Sequence, residues 1–288
     1  GAVPVLARDW SGAVEDELAV DVETTLTCVP SLVRTVPPDL LRDLAVGYVG
    51  WAATEQGSGV EFDSVREYRS GDPMNRVDWK RYSRTGELAT LRFREERSTT
   101  VFILVDARAE AYLAPDDGEH AVDRALDAAG QVFATLVAAS TPVGIASLGT
   151  GLAWLDAGVG ERHRHRAEHL FGRDPAFDPL PPSGELRLLS RLREIRSRLP
   201  RDAQIVFVTP LCDGGASFVA RRLDDYGHPV TVLSPDPTSG DTLGDKLVRI
   251  ERYLWRLNLL AAGIPVIDWG WDQPLEDALR RATEGGGT

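Results

Sequence analysis

The segment from 161 to 170, ERHRHRAEHL, holds three of the chain's five histidines. Within it His165, Glu168 and His169 follow the H-x-x-E-H spacing of the inverted zinc-protease pattern, which sets two imidazoles one helical turn apart with a carboxylate beside them. Such a group would ligate zinc and activate a bound water. Arg162, Arg164 and Arg166 run through the same segment and would repel a dication, and no third ligand follows it. A polar surface helix is therefore the main expectation here, and a metal-dependent hydrolase using His165, Glu168 and His169 is the alternative function. Gly149-Thr150-Gly151 lacks a third glycine, since Trp154 stands in its place, and it leads into a strand, so dinucleotide binding is not expected. There is no P-loop and no G-x-S-x-G nucleophile elbow. Cys212, beside Asp213, would be reactive only with a base nearby, and a small buried apolar role suits it better.

A second concentration of chemistry-bearing residues runs from Gly59 to Arg97. Nine basic residues against eight acids give it a net charge of +1 in a chain of net −12. Phe62, Val65, Tyr68, Val77, Trp79, Tyr82, Leu88, Leu91 and Phe93 are threaded among those charges, which argues for a semi-buried ion-pair lattice instead of a solvated charge run. Its pattern predicts a strand over 60–69, a turn at Ser70-Gly71-Asp72-Pro73, a short helix over 75–83 and a strand over 88–93.

The elements that must position these groups come next. Thr100 to Val105 is a continuous apolar run ending at Asp106, the pattern of a central parallel strand. Helices are predicted over 120–139, from a Ser183 cap to Leu199, over 218–226, over 243–262 and after Pro274, with strands over 143–148, 152–155, 204–209, 230–233 and 264–268. Strands and helices that alternate in this way form a mostly parallel sheet covered on both faces. Ligand sites in such sheets lie beyond the carboxyl ends of the strands, here Asp106, Thr209 to Asp213, Ser234 to Asp236 and Asp268. Ahead of residue 99 only Leu18 to Cys28 reads clearly, as a Thr- and Val-rich strand.

Composition narrows the function classes. At 288 residues and 43% hydrophobic content the chain can bury a substantial core. A pI near 4.9 argues against general nucleic-acid and anionic-membrane binding. Lys80 and Lys246 are the sole lysines, and arginine in place of lysine with an excess of acids suits a salt-adapted cell, although GC-rich coding alone would also give the arginine bias. Two isolated cysteines, Cys28 and Cys212, predict a reduced compartment and a cytoplasmic location, free or at the cytoplasmic face of a membrane. The uncharged run from Gln131 to Leu155 contains Pro142 and three glycines, which predicts a helix end and a strand pair instead of a membrane span.

The ordered set Gly59, Glu61-Phe62, Arg66-Glu67-Tyr68, Gly71-Asp72, Arg76, Asp78-Trp79, Arg84 and Leu88 closely resembles the signature of the domain-of-unknown-function 58 family. The resemblance implies that a von Willebrand factor A-like domain follows, preceded by a β-rich region. It gives a three-layer α/β (Rossmann-like) fold with a mostly parallel sheet, divided as a β-rich segment over 1–54, a signature unit over 55–98 packed at the domain edge, and the main domain over 99–288. That fold usually seats a divalent metal on Asp-x-Ser-x-Ser after its first strand, helped by a Thr and an Asp from other loops. Here the matching residues are Asp106, Arg108 and Glu110, with Thr209 and Asp213 opposite. Both hydroxyls are gone, and a guanidinium would place positive charge where the ion sits. The expectation is a degenerate site that binds no metal, Mg²⁺ included, with an Arg108-to-carboxylate bridge in the ion's place and no other cofactor.

Relatives in that family are often encoded beside MoxR-type AAA+ ATPases, and they often carry membrane helices ahead of this region. The function this implies is a non-enzymatic protein-interaction or adaptor module that acts with such an ATPase on an envelope-associated complex, reaching the membrane only through segments absent from this chain. Glu61, Arg66, Glu67, Tyr68, Arg69, Gly71, Asp72, Arg76, Asp78, Trp79 and Arg84 are the candidate interaction residues.

Overall fold

The computed structural model describes residues 2–8, 15–21, 61–67, 78–85, 88–94, 100–114, 120–238, 242–271 and 273–285, with Pro30, Leu32, Val36, Pro37 and Leu41. At the start, β1 (Ala2–Arg8) and β2 (Glu15–Asp21) pair antiparallel. The strand expected over 18–28 is thus β2 and begins three residues earlier; positions 22–28 lie outside the described residues. β3 (Glu61–Glu67) and β4 (Ala89–Arg94) form a second antiparallel ribbon, with α1 (Trp79–Thr85) between them in sequence. The Asp78 amide donates to the Ala89 carbonyl at 2.8 Å and ties the entry of α1 to β4.

The main domain grows from β5 (Val101–Asp106), whose six residues are all buried. Successive side chains of a strand point to opposite faces, so a strand apolar throughout must be covered on both. Val101, Ile103 and Val105 join a cluster with α2 (Ala121–Ala138), α3 (Glu161–Arg173) and α7 (Leu275–Gly285). Phe102 and Leu104 join the other cluster with α4 (Leu188–Arg198), α5 (Gly214–Asp225) and Leu259 of α6 (Leu243–Ala261). β6 (Val143–Leu148) and β8 (Gln204–Val208) flank β5, both parallel to it. β9 (Val230–Pro235) and β10 (Val266–Trp269) extend the sheet in parallel beyond β8, and β7 (Trp154–Gly158) closes the other edge antiparallel to β6. The order is β10-β9-β8-β5-β6-β7 in a mixed α/β fold.

Leu32, Val36 and Leu41, from the stretch assigned to a separate N-terminal segment, are buried in the first of these clusters. The Val36 carbonyl accepts from Thr135 Oγ1 at 3.2 Å and the Leu32 carbonyl from Arg164 Nη2 at 3.2 Å, so this part of the stretch belongs to the main core.

Three helix starts differ from expectation. Ser183 caps nothing: Gly184 sits at φ 113 and the helix begins at Leu188 after Arg187. In contrast, α5 begins at Gly214, four residues before the expected Phe218. Its Gly-Gly start is a poor helix former, and the Asp213 side chain offsets that by accepting from the Gly215 and Ala216 amides. α1 also starts late, at Trp79 instead of Asn75, and β7 at Trp154 instead of Leu152. Among the described residues, no helix is long and apolar enough to cross a membrane.

Candidate functional site

From β5 the chain steps outward one way to β6 and β7, and after α4 it returns to the other side of β5 as β8. The crevice beyond the carboxyl ends of β5 and β8, where that direction reverses, is the place such sheets use for ligands. Four sequence-predicted residues meet there. Asp106 ends β5 fully buried; Arg108, two residues on, is only 5% exposed. The Arg108 guanidinium grips Asp106 through Nε to Oδ1 and Nη2 to Oδ2, each 2.8 Å. It grips Asp213 equally, Nη1 to Oδ2 at 2.9 Å and Nη2 to Oδ1 at 2.7 Å. Thr209 Oγ1 completes the group with a 2.7 Å bond to Asp106 Oδ2. Glu110 stays exposed, 4.0 Å from Arg108 Nη1.

Two paired carboxylates and one planar fork make a bidentate lattice that only arginine can build. Burial alone would lower the Arg108 pKa, but Asp106 and Asp213 more than reverse this and raise it, so the guanidinium is permanently charged. Burial would raise the Asp213 pKa, yet its bonds to Arg108 and to the Gly215 and Ala216 amides hold it below the usual carboxylate value. Gly215 is required by this closeness: a Cβ there would lie 2.5 Å from Arg108 Nη1 and 2.6 Å from Asp213 Oδ2.

A second lattice, which sequence reasoning missed, adjoins the first. Arg252, on α6 and almost fully buried, reaches Asp236 at 3.0 Å, Asp268 at 3.0 Å and Ser234 Oγ at 2.9 Å. Arg256 pairs with Asp268 from the next turn. The acids were legible as strand-end residues. Their arginines were not, because nothing in the spacing of a long charged helix says which of its cations turns inward. Arg252 Nε also donates to the Pro210 carbonyl at 2.8 Å. The loop from Thr209 to Asp213 is thereby clamped by Asp106 and Arg108 on one side and Arg252 on the other. Within it Leu211 is fully buried at φ 55, a left-handed conformation that costs a non-glycine residue about 1–2 kcal/mol and persists because its surroundings enforce it. Cys212 follows, and burial pushes its thiol up to about 12 against the opposing pull of Arg252, so it is not a thiolate at neutral pH. Beside this loop system lies an open cleft of about 370 Å³, whose walls include Ala107, Tyr112, Thr150, Ala176 and Asp178.

The histidine segment forms α3, with its three histidines in different surroundings. His163 is buried, 2.7 Å from the Val143 carbonyl and against the Phe133 ring, an anchoring role the sequence did not reveal. His165 is exposed and pairs with Glu168 at 3.0 Å, and Arg164 lies 3.4 Å from the same carboxylate. His169 is solvent-facing. Among the described residues no group of three or more His, Cys, Asp or Glu side chains is arranged to hold a metal ion.

The signature residues are only partly within view. Glu61, Arg66 and Glu67 lie on β3; Trp79, half exposed, meets Tyr82 edge-on at 6.1 Å on α1, and Arg84 is exposed in the same helix. Asp78 is half-buried at the entry of α1. Gly59, Tyr68, Arg69, Gly71, Asp72 and Arg76 lie outside the described residues.

Comparison with known proteins gives matches of three kinds. A family model described as "Protein of unknown function DUF58" covers residues 64–233. The uncharacterized protein YeaD of Bacillus subtilis (strain 168) is 24% identical over 181 residues, which is 62% of this chain and 43% of that protein. The chain therefore spans less than half the length of that curated relative. A crystal structure of the conserved hypothetical protein BatB from Bacteroides thetaiotaomicron aligns at 12% identity with a TM-score of 0.38, over 65% of this chain and 96% of the other.

Proposed function

The chain belongs to the DUF58 family, and from that premise we propose that it is a non-enzymatic interaction module whose main domain is von Willebrand factor A-like and whose strand-end face needs no metal ion. Support for the fold comes from the strand order: counted within the sheet it runs 3-2-1-4-5-6, with the third strand antiparallel at the edge. Helices pack in two clusters on opposite faces of that sheet.

The observation that carries the functional reading is the Arg108 guanidinium bonded to both Asp106 and Asp213. In von Willebrand factor A-like domains the corresponding carboxylates and hydroxyls surround a divalent cation that recruits a partner's carboxylate. A guanidinium has only donors, so it cannot ligate a cation, and its fixed charge repels one. The residues present do not fit a metal ion. Nor does the site contain an assembled nucleophile and base: Cys212 stays a thiol, and the partners of Asp106 and Asp213 are a hydroxyl, backbone amides and Arg108. A rigid charged surface of this kind suits recognition of a protein.

The partner class follows from family resemblance: a MoxR-type AAA+ ATPase, with an envelope-associated complex as the shared client. Trp79 and Arg84 are exposed residues of the types that dominate interfaces. The test is retention of the neighbouring ATPase by immobilised chain, wild type against Trp79→Ala and Arg84→Ala, with folding verified by circular dichroism. Retention by wild type that both variants weaken supports the reading. No retention by wild type, with or without ATP, contradicts it. Stoichiometric zinc in the purified protein, lost in His169→Ala, would favour the hydrolase alternative instead.

A further inference from the structure

α6 is amphipathic the wrong way round for a helix that serves only its own domain. Arg252 and Leu259 are its buried residues, with Val248, Trp255 and Arg256 partly covered beside them. The opposite side exposes Leu243, Leu247, Ile250, Leu254 and Leu257, each 44–87% accessible. Tyr253 and Leu260 flank them, so seven of the fifteen large apolar residues exposed among the described residues sit on this one helix. Single exposed apolar residues need no explanation, whereas a contiguous run marks an interaction surface.

The spacing of the run identifies its occupant. Residues 243, 247, 250, 254 and 257 are separated alternately by four and three positions, and Ala261 continues the series. That is the a/d alternation of a heptad, a narrow seam of period 3.5 that fits another helix with the same seam. In this register Leu247, Leu254 and Ala261 are a positions, and Leu243, Ile250 and Leu257 are d positions. Arg252 and Leu259 fall at f, directly opposite, so a helix laid on the seam leaves the Arg252 lattice intact. Lys246 takes a g position and Glu251 the e position five residues later, the two sites that face each other across a parallel two-stranded coil. An antiparallel arrangement would instead bring Glu251 toward the partner's Glu251. An anionic membrane is a poor alternative for a chain of net −12.

We infer that α6 pairs with α6 of a second copy of this chain as a short parallel coil, with its two-fold axis running along the helices. At 19 residues the helix is about 28 Å long, enough for fewer than three heptads, so the dimer is reversible with a dissociation constant of about micromolar order. The strand-end loops of both copies stay uncovered, because each domain lies on the far side of its own helix.

Sedimentation velocity on the whole chain from about 1 to 100 µM should show a monomer–dimer equilibrium. Leu247→Glu/Leu254→Glu should abolish it while leaving the circular dichroism spectrum unchanged and, at concentrations low enough for the wild type to be monomeric, the urea midpoint unchanged too, since both side chains of the monomer face solvent. Lys246→Glu should weaken the dimer about two- to fivefold, and Lys246→Glu/Glu251→Lys should restore it. That pair of surface variants keeps the test valid even if the leucine variant misfolds. Orientation is read from Ile250→Cys in a Cys28→Ser/Cys212→Ser background, where a parallel coil forms a disulfide-linked dimer on oxidation. A monomer at every concentration, a dimer indifferent to Leu247→Glu/Leu254→Glu, or cross-linking only between Leu247→Cys and Leu257→Cys would overturn the inference.

Discussion

Replacing Arg108 by alanine tests the lattice at its centre. The side chain is 5% exposed and makes four charge-assisted bonds of 2.7–2.9 Å to two carboxylates. Such bonds contribute about 1.5–3 kcal/mol each when counted singly, but they share one donor and are not additive. The better measure is the charge left behind. Asp213 is 29% exposed as a side chain and can rehydrate, still holding the Gly215 and Ala216 amides. Asp106 is fully buried and keeps only the Thr209 hydroxyl and the 3.3 Å amide of residue 108. Removing one partner of a buried pair costs about 3–5 kcal/mol. At about 2–4 °C per kcal/mol this is a fall in Tm of roughly 10 °C, measured by calorimetry or by urea unfolding followed in the far ultraviolet. Asp106→Asn in the Arg108→Ala background removes the stranded charge, so the double variant should be clearly more stable than the sum of the single losses. A loss below about 1 kcal/mol for Arg108→Ala, or strict additivity in the cycle, would show that the guanidinium does not hold the strand ends together.

Three further outcomes follow from the same geometry. Because the Asp213 pKa is depressed in the folded state, its contribution is complete above the unfolded value of ~3.9 and is lost as pH falls through the folded value; Asp213→Asn should therefore flatten the acid limb of the stability curve. Gly215→Ala places a Cβ against Arg108 Nη1 and Asp213 Oδ2, and should destabilise by about 1–3 kcal/mol, checked by urea unfolding. Arg108→Ser/Glu110→Ser rebuilds the Asp-x-Ser-x-Ser spacing in front of Thr209 and Asp213. This variant should gain Tm on Mg²⁺ addition, with stabilisation growing as the logarithm of the ion concentration, where the wild type gains none.

Much of the frame was legible because its signals are local. An unbroken apolar run ending in Asp106 can be satisfied only by a strand covered on both faces, and the Thr209–Asp213 and Ser234–Asp236 segments follow as strand ends. The signals failed where a distant partner decides the outcome. α5 starts at an Asp213 cap whose carboxylate is also held by Arg108, more than a hundred residues earlier in the chain. Arg252 resembles the other cations of α6, and only the fold turns it onto Asp236 and Asp268. The outward heptad of α6 went unread for a related reason, since periodicity identifies a helix but not which of its faces meets the core. His165, Glu168 and His169 keep the spacing read from the sequence on α3, where the Glu168 carboxylate pairs with His165 and Arg164.

Calorimetric titration of the wild-type chain with Mg²⁺ and then Mn²⁺ bears most directly on the central proposal, that a fixed guanidinium stands where von Willebrand factor A-like domains place a cation. The account predicts no saturable heat for either ion, and identical traces for wild type and Asp106→Ala. Micromolar binding to wild type that Asp106→Ala abolishes would contradict it.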